Sequence, residues 1–157
     1  MRNDLRCGII ERDENVYCSM KMEYICSLNA FIARNEALVW GKLRTGRAGT
    51  DYTPPVPDEA QVRAELAEIT ESDATATSKA LALFAWGTRS QLFRAGNKRT
   101  GLAAANKLLL ASGAGMLTIR EADMMEFNVH LLHWYDAGDA EPLTDYLYDH
   151  AIQGIEM

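Results

Sequence analysis

The longest regular pattern of apolar residues lies in the first quarter of the chain. Over residues 15–38, apolar residues recur at steps of three and four, with polar residues between them. This spacing puts one apolar stripe along an α-helix, so it predicts a long amphipathic helix. Residues 98–112 are instead apolar on nearly every side, and the run Ala103, Ala104 and Ala105 lets neighbours approach closely. This second pattern predicts a central helix that other helices surround.

Signals for helix starts divide the rest of the chain. In chain order they are Pro57 with Asp58 and Glu59, then Asp73 or Thr75, and finally Pro142. Proline loses nothing at a first helical position, acidic residues suit the positive end of the helix dipole, and Asp and Thr are good N-caps. The helix predicted over residues 120–135 follows a short extended piece at 116–119.

The segment over residues 40–57 has no helical pattern. It carries three glycines and three prolines, and Thr50, Tyr52 and Thr53 lie between these turn formers. Threonine and tyrosine are tolerated well in strands, so the segment predicts an irregular, hairpin-like loop. We call residues 40–57 the flap.

These patterns together predict an all-α fold. We expect about five to seven helices around a central buried helix, with a small β-hairpin in the flap. The length of 157 residues fits a single domain with one core. Within it we expect an N-terminal helical segment over residues 1–39, the flap over 40–57 and a helical core over 58–157.

Composition and charge narrow the class of protein. Sixteen basic and 22 acidic residues give a net charge of −6, which argues against a broad basic face for nucleic acid. No apolar run approaches the length of about 20 residues that a membrane span needs. Cys7, Cys18 and Cys26 cannot all pair within one chain and lack metal-ligand spacing. We therefore expect a cytoplasmic protein with reduced thiols and no membrane or nucleic-acid partner.

One segment carries candidate chemistry. A Gly-Asn turn at residues 96 and 97 leads directly to Lys98 and Arg99 at the start of the central helix. Two cations at the positive end of a helix dipole are each unfavourable, by a few tenths to about 1 kcal/mol. An anion bound by the free N–H groups of the first turn would offset this cost. The alternative is that Asn97 caps the helix while both cations face solvent or pair with acidic residues.

Four stretches resemble one family. Residues 93–99, Phe-Arg-Ala-Gly-Asn-Lys-Arg, resemble the H-x-F-x-[DE]-[AG]-N-[GK]-R motif of the Fic/Doc (Fido) family. Residues 41–44 and 52–57 resemble its G-x-[FYL]-R loop and its Y-x-P-P-x-P helix entry, and residues 136–143 resemble its D-x-G-D-x-x-P-L turn. The resemblance extends in the family's order over about residues 41–147.

The resemblance implies a helical domain that holds ATP over the motif and, in most members, transfers AMP to a hydroxyl group of a target protein. It implies that the backbone at Gly96, Asn97 and Lys98 forms an anion hole. Asn97 would orient phosphate oxygens, Arg99 would pair with phosphates, and Phe93 would anchor the loop.

The resemblance also assigns the flap a role. It implies that the flap lays a segment of the target against the site by strand addition, and the candidate target-binding residues are Gly41, Arg44, Thr50 and Tyr52. From the residues alone, Arg44 and Arg47 could contact phosphate or a target, although a solvated loop charge is the simpler expectation.

The chain departs from the family at positions that carry chemistry. Gln91 stands where the family has its histidine, and an amide cannot act as a general base. Ala95 stands where the family has the acidic residue that holds Mg²⁺, so a bound Mg²⁺ is doubtful. Leu102 falls on the second arginine of the longer AMP-transferase pattern and cannot hold a γ-phosphate.

A partial match to the family's inhibitory helix precedes the flap. Ser19 and Glu23 fit the [ST]-x-x-x-E pattern, whose glutamate pairs with the second arginine in the family. Because Leu102 replaces that arginine, only Arg99 remains as a partner for Glu23. The simpler expectation is a helix packed on the core with Glu23 at its edge.

Histidines offer a weaker candidate. His130 and His133 lie three residues apart on one predicted helix face, which would permit two metal ligands or a displaced base. No nearby cysteine or acidic triad completes a zinc site, so we expect structural or surface histidines, an exposed His150 and no metal site.

The sequence therefore predicts a divergent Fic-family protein that binds ATP or another nucleotide, has impaired catalysis, and acts as a binding or regulatory module with a protein partner at the flap. The alternative is an active AMP- or phosphotransferase with a non-standard base. The run Asn-Lys-Arg-Thr at residues 97–100 resembles the Doc branch, in which phosphate transfer is known, and leaves a Doc-like toxin open.

Overall fold

Six α-helices dominate the computed structural model, which describes residues 20–48 and 52–154. They are α1 (Met22–Ala33), α2 (Glu59–Glu71), α3 (Ala76–Ser90), α4 (Asn97–Ala111), α5 (Met124–Ala137) and α6 (Glu141–His150). A 3₁₀ helix, Glu121–Asp123, precedes α5, and two short strands, β1 (Met116–Leu117) and β2 (Ile152–Gln153), pair antiparallel. The predicted all-α fold is confirmed.

Helix α4 is the central helix that the sequence predicts. Its buried positions include Asn97 and Thr100 at the start and Leu108 and Leu109 near the end. Helix α3 packs along it most extensively, and α1 packs on another side. A Cβ atom built at Gly87 of α3 would lie 3.4 Å from the Cα atom of Gly101 in α4. Helices α3 and α4 therefore lie close together at Gly87 and Gly101.

Capping chemistry explains where two helices begin. The Thr75 hydroxyl accepts a hydrogen bond from the Ser78 N–H at 3.2 Å, so Thr75, not Asp73, caps α3. The Asp58 carboxylate accepts from the Gln61 N–H at 2.9 Å and caps α2. The expectation that Pro57 is the first helical residue is wrong, because this cap places the start at Glu59.

Two helix boundaries differ from the prediction. Helix α1 ends at Ala33 instead of residue 38, because the chain turns at residues 34–36. Residues 15–19, where that helix was predicted to begin, lie outside the described residues. Helix α5 starts at Met124 because Glu121–Asp123 form a 3₁₀ turn first, and it extends to Ala137.

The small antiparallel pairing lies far along the chain from the flap. Met116 pairs with Gln153 and Leu117 with Ile152. The Asn106 side chain of α4 exchanges two hydrogen bonds with the backbone of Leu117, at 2.6 and 3.0 Å, and so fixes β1 on the central helix. In the described parts of the flap, residues 40–48 and 52–57, the backbone forms turns and extended chain without a strand. The expected position of the hairpin is therefore wrong.

The core lies between α3, α4, α5 and α6. Phe84, Leu109, Phe127, Leu143 and Leu147 are each fully buried there. No helix in the described part of the chain is long and apolar enough to cross a membrane. Cys26 is a free, half-buried cysteine, and burial raises the pKa of its thiol. Cys7 and Cys18 lie outside the described residues.

Candidate functional site

The motif loop, residues 91–97, joins α3 to α4 through two left-handed residues. Gln91 ends α3 with a φ of 45°, and Gly96 precedes α4 with a φ of 75°. For Gln91 this conformation is strained, and such strain persists only where surrounding contacts enforce it. The loop therefore has a fixed shape that the neighbouring side chains must hold.

Asn97 supplies most of the contacts inside the loop. Its Oδ1 accepts from the Phe93 N–H at 2.9 Å, and its Nδ2 donates to the Phe93 carbonyl at 2.9 Å and to Gln91 Oε1 at 3.1 Å. Gln91 Nε2 donates in turn to the Thr88 carbonyl at 2.6 Å. Both amide side chains are thus engaged within the chain, and the backbone N–H groups are what the loop can offer to a phosphate.

The start of α4 has no side-chain cap. Gly96 is the N-cap residue, and Asn97 is already the first helical residue. The alternative that Asn97 caps this helix is therefore wrong. An uncapped helix start leaves N–H donors and the positive end of the dipole available to an anion.

Asn29 of α1 connects the motif loop to the flap, and sequence reasoning missed it. Its Nδ2 donates to the Ala95 carbonyl at 2.8 Å and to the Thr100 hydroxyl at 3.2 Å, while its Oδ1 accepts from the Gly41 N–H at 2.9 Å. The side chain is fully buried. The available signal was an asparagine within the apolar pattern of α1, since a buried amide needs several partners.

Arg44 holds the flap on the motif loop. Only 2% of this residue is exposed, and its guanidinium donates to the carbonyls of Gln91, Gly46, Pro54 and Pro55. Burial, assisted by the nearby charge of Arg94, lowers the pKa of Arg44. The expectation of a solvated loop charge is wrong, and this guanidinium is not presented to a target, because the flap folds around it.

The other flap candidates have different surroundings. Gly41 has a φ of 65°, and a Cβ atom there would lie 2.7 Å from the Ala30 Cβ atom, so the position requires glycine. Tyr52 stacks on Tyr135 of α5, with ring centroids 5.8 Å apart. Thr50 lies outside the described residues.

A cavity of about 740 Å³ opens between the motif loop and α5, and we call it the motif cavity. Its described lining is Gln91, Phe93, Arg94, Ala95, Gly96, Asn97, Lys98, Arg99, Asn128, Leu131, Leu132 and Tyr135. Three of these residues are cations, and none is a carboxylate. In a chain of net charge −6, this is a locally positive site that favours an anion.

Arg99 pairs with an acidic residue, as the alternative interpretation of the sequence expected, although the sequence did not indicate which one. Its guanidinium forms an ion pair with Glu36, which follows α1, and about half of each side chain is exposed. Exposed ion pairs contribute roughly 0–1 kcal/mol, so a phosphate can compete with Glu36 for this arginine. The Lys98 ammonium lies 5.6 Å from the centre of the Phe127 ring.

Glu23 is engaged elsewhere. Its carboxylate pairs with Arg63 of α2 at 2.7 Å, and this contact lowers its pKa. The idea that Glu23 pairs with Arg99 is therefore wrong, because each residue has another partner. Ser19 lies outside the described residues.

The three histidines do not line the motif cavity. His130 and His150 each pack on the ring of Tyr146, with centroid distances of 4.7 and 4.9 Å. Across the described ranges 20–48 and 52–154, no three His, Cys, Asp or Glu side chains form a cluster that could hold a metal ion. A displaced histidine base is thus not positioned at the cavity.

A family model described as "Fic/DOC family" matches residues 19–109, more than half of the 157 residues. The chain belongs to the Fic/DOC family. The matched region contains the flap, the motif loop and most of α4. No match to a curated protein was found. The resemblance at residues 136–143 lies beyond the matched region.

Proposed function

We propose that this protein is a divergent Fic/DOC member that binds the phosphates of ATP or another nucleotide in the motif cavity. We propose further that it transfers AMP poorly or not at all and acts as a binding or regulatory module toward a protein partner at the flap. The observation that carries the proposal is a motif cavity with Arg94, Lys98 and Arg99 in its lining and no carboxylate among its described lining residues.

The impaired chemistry follows from the lack of a base in that lining. Arg94, Lys98, Arg99 and Tyr135 are its titratable side chains. Burial raises the pKa of Tyr135, so its phenol stays protonated at neutral pH. Gln91 is an amide and accepts no proton. A target hydroxyl in this cavity would lack a general base, whose loss typically costs 10²–10⁴ in rate.

The lining does not fit Mg²⁺. This ion prefers carboxylate oxygens and phosphates, and Ala95 stands at the family's acidic position. The Gln91 oxygen accepts from Asn97, which leaves it poorly suited to a metal. Phosphate charge would instead be balanced by the three cations and by the uncapped start of α4.

Calorimetric titration with ATP, first with Mg²⁺ and then with EDTA, tests this proposal. We expect binding that persists in EDTA and weakens at least about tenfold in Arg99→Ala, because charge-assisted hydrogen bonds to phosphate are strong. Arg120→Ala is the matched control, since Arg120 pairs with Asp123 and is absent from the described lining of the motif cavity. Failure of ATP to bind in either buffer would refute nucleotide binding.

Restoring the family's histidine and acidic residue tests whether Gln91 and Ala95 are what limits AMP transfer. We expect Gln91→His with Ala95→Asp to gain AMP transfer, because the double change adds a base and a metal ligand. The readout is ATP-dependent mass increase on the protein or on added proteins. Each single change is the control, and no gain in the double variant would contradict the idea that these two positions alone limit activity.

The Doc-like run at residues 97–100 supports one alternative, an active transferase that uses a non-standard base. A partner protein would then gain mass with time when incubated with the unmodified chain and ATP. The gain would disappear in Arg99→Ala. Growth arrest on expression would favour a toxin.

A further inference from the structure

A second cavity, of about 670 Å³, adjoins the motif cavity without sharing any of its described lining residues. Tyr52 lines this second cavity, and its stacking partner Tyr135 lines the motif cavity. The stacked pair therefore stands between the two. We call this space the α2–α6 cavity, because residues of both helices line it.

The α2–α6 cavity has an apolar floor and walls. Helices α2 and α6 both pack on α3, which supplies the floor through Leu81 and Ala85, both buried in the core. The flap residues 54–57, Pro-Pro-Val-Pro, form the wall next to α2. Tyr148 of α6 lies at the opposite side and is 63% exposed. Cavities of this size and character accommodate small molecules.

Hydrogen bonds hold the aromatic walls in place. Trp86 Nε1 donates to Glu65 Oε2 at 2.8 Å, and Trp134 Nε1 donates to the Ala85 carbonyl at 2.8 Å. The Arg89 guanidinium lies between two rings, 4.7 Å from the centre of Tyr52 and 4.9 Å from that of Trp134. A ligand would meet a formed site and would lose little affinity to ordering it.

The charges of the lining determine which ligand fits. Three carboxylates, Asp58, Glu65 and Asp145, line the cavity against one cation, Arg89. Arg89 is already engaged, since its Nε donates to the Trp134 carbonyl at 3.1 Å and its guanidinium carbon lies 4.7 and 4.9 Å from the centres of the Tyr52 and Trp134 rings. The lining is therefore net negative beside apolar and aromatic walls, a combination that attracts organic cations and repels anions.

We propose that the α2–α6 cavity binds a small organic cation with an apolar body and one amine or guanidinium group. The apolar body would lie against Leu81, Ala85 and Trp86, and the cation would face the carboxylates. This ligand differs in charge from a nucleotide, and the proposal does not depend on phosphate binding in the motif cavity.

Three probes of the same apolar body test the proposal: 2-phenylethylamine, 2-phenylethanol and 3-phenylpropanoate. Trp86 and Trp134, two of the three tryptophans, line the cavity, so tryptophan fluorescence reports occupancy alongside calorimetry. We expect the amine to bind at least about tenfold more tightly than the alcohol or the acid. Equal binding of amine and alcohol would overturn the proposal, as would no binding of the amine.

Isosteric neutralisation of the carboxylates identifies the site. The triple variant Asp58→Asn/Glu65→Gln/Asp145→Asn removes three negative charges. It keeps an oxygen at residue 58 to cap α2 and an oxygen at residue 65 to accept from Trp86. We expect amine binding to weaken about tenfold. The matched control is the triple variant Glu68→Gln/Glu71→Gln/Asp149→Asn. It also removes three negative charges from α2 and α6, at positions outside the cavity lining. Equal losses in both triple variants would overturn the proposal.

Filling the cavity provides a second, independent variant. Ala82 lines the cavity on α3 and is half-buried, so Ala82→Phe should abolish amine binding while circular dichroism shows a folded helical protein. Undiminished amine binding in folded Ala82→Phe would overturn the assignment. Binding of a capped Phe-Arg amide in place of the free amine would overturn it in favour of a polypeptide ligand.

ATP binding separates this proposal from the one for the motif cavity. The triple variant at Asp58, Glu65 and Asp145 should bind ATP as tightly as the parent chain does.

Discussion

Gln91 combines a strained backbone with fully used side-chain atoms. Its φ of 45° is costly for a residue with a Cβ atom, by about 1 kcal/mol or more. Its amide donates to the Thr88 carbonyl and accepts from Asn97, and its own carbonyl accepts from the buried Arg44. The residue that stands where the family has its histidine therefore stabilises the loop here, which explains how the loop can keep its shape without that histidine.

Glu36 sets how strongly Arg99 can hold an anion. Glu36→Gln removes the charge that pairs with Arg99, so the guanidinium becomes available. We expect phosphate and ATP to bind about two- to fivefold more tightly, the range that an exposed ion pair can oppose. Calorimetry with inorganic phosphate measures the change. Glu68→Gln, which alters net charge equally on the exposed side of α2, should leave the affinity unchanged, and equal gains in both would contradict a specific role for Glu36.

Asn29 of α1 hydrogen-bonds to three other segments: the motif loop, α4 and the flap. Asn29→Ala removes its hydrogen bonds to the Ala95 carbonyl, the Thr100 hydroxyl and the Gly41 N–H. Because buried groups would lose partners, we expect about 2–4 kcal/mol less stability in urea unfolding. Ser27→Ala, two residues earlier on the exposed side of α1, loses a single bond within the helix and should change stability far less. A loss below 1 kcal/mol would contradict the anchoring role of Asn29.

At the scale of elements, two glycines should respond to alanine in opposite ways. The nearest atom to a Cβ built at Gly101 of α4 is the carbonyl oxygen of Phe84 in α3 at 3.5 Å, an ordinary contact. Gly101→Ala should therefore stabilise the protein by about 0.5–1 kcal/mol through helix propensity. Gly41→Ala should destabilise it by more, because its Cβ would lie 2.7 Å from the Ala30 Cβ at a positive φ. Urea unfolding of both variants gives the two signs, and destabilisation by Gly101→Ala would show that α3 and α4 require the smaller residue.

Helices were predictable because their signals are local. The Thr75 cap, the start at Pro142 and the apolar surroundings of α4 are all readable from nearby residues. The shape of the flap could not be predicted in this way, because it depends on Arg44. One partner of Arg44, the Gln91 carbonyl, lies 47 residues away in the motif loop. An arginine in a glycine- and proline-rich loop gives no local sign that distant carbonyls will bury it.

The site shows the same division. The motif loop could be located from its sequence, and its left-handed Gly96 agrees with a turn before α4. The Glu36–Arg99 pair and the role of Asn29 could not, since both join residues more than 60 positions apart. Long-range pairs of this kind depend on how α1 packs against α4 and have no periodic signature.

At the scale of the whole molecule, charge is unevenly distributed. The chain has a net charge of −6, yet the motif cavity has three cations in its lining and the α2–α6 cavity has three carboxylates. The two cavities meet at the stacked pair, since Tyr52 lines the α2–α6 cavity and Tyr135 lines the motif cavity. Under the two proposals, ligands of opposite charge would occupy separate cavities and would not compete directly.

Burial of Tyr135 should make the stability of the protein sensitive to alkaline pH. Burial is the main reason that the pKa of Tyr135 is raised above its ordinary value of 10.0, so the folded protein holds the phenolic proton more tightly than the unfolded chain does. This stabilisation is complete below pH 10 and is lost as pH rises from 10 through the folded pKa. We expect the free energy of unfolding to fall over that range, and to fall less steeply in Tyr135→Phe, which has no proton to lose. Urea unfolding at pH 8 to 11 measures both slopes, with Tyr148→Phe as the control because Tyr148 is exposed. Parallel slopes in the parent chain and Tyr135→Phe would mean that the alkaline loss arises elsewhere, since net negative charge also grows with pH.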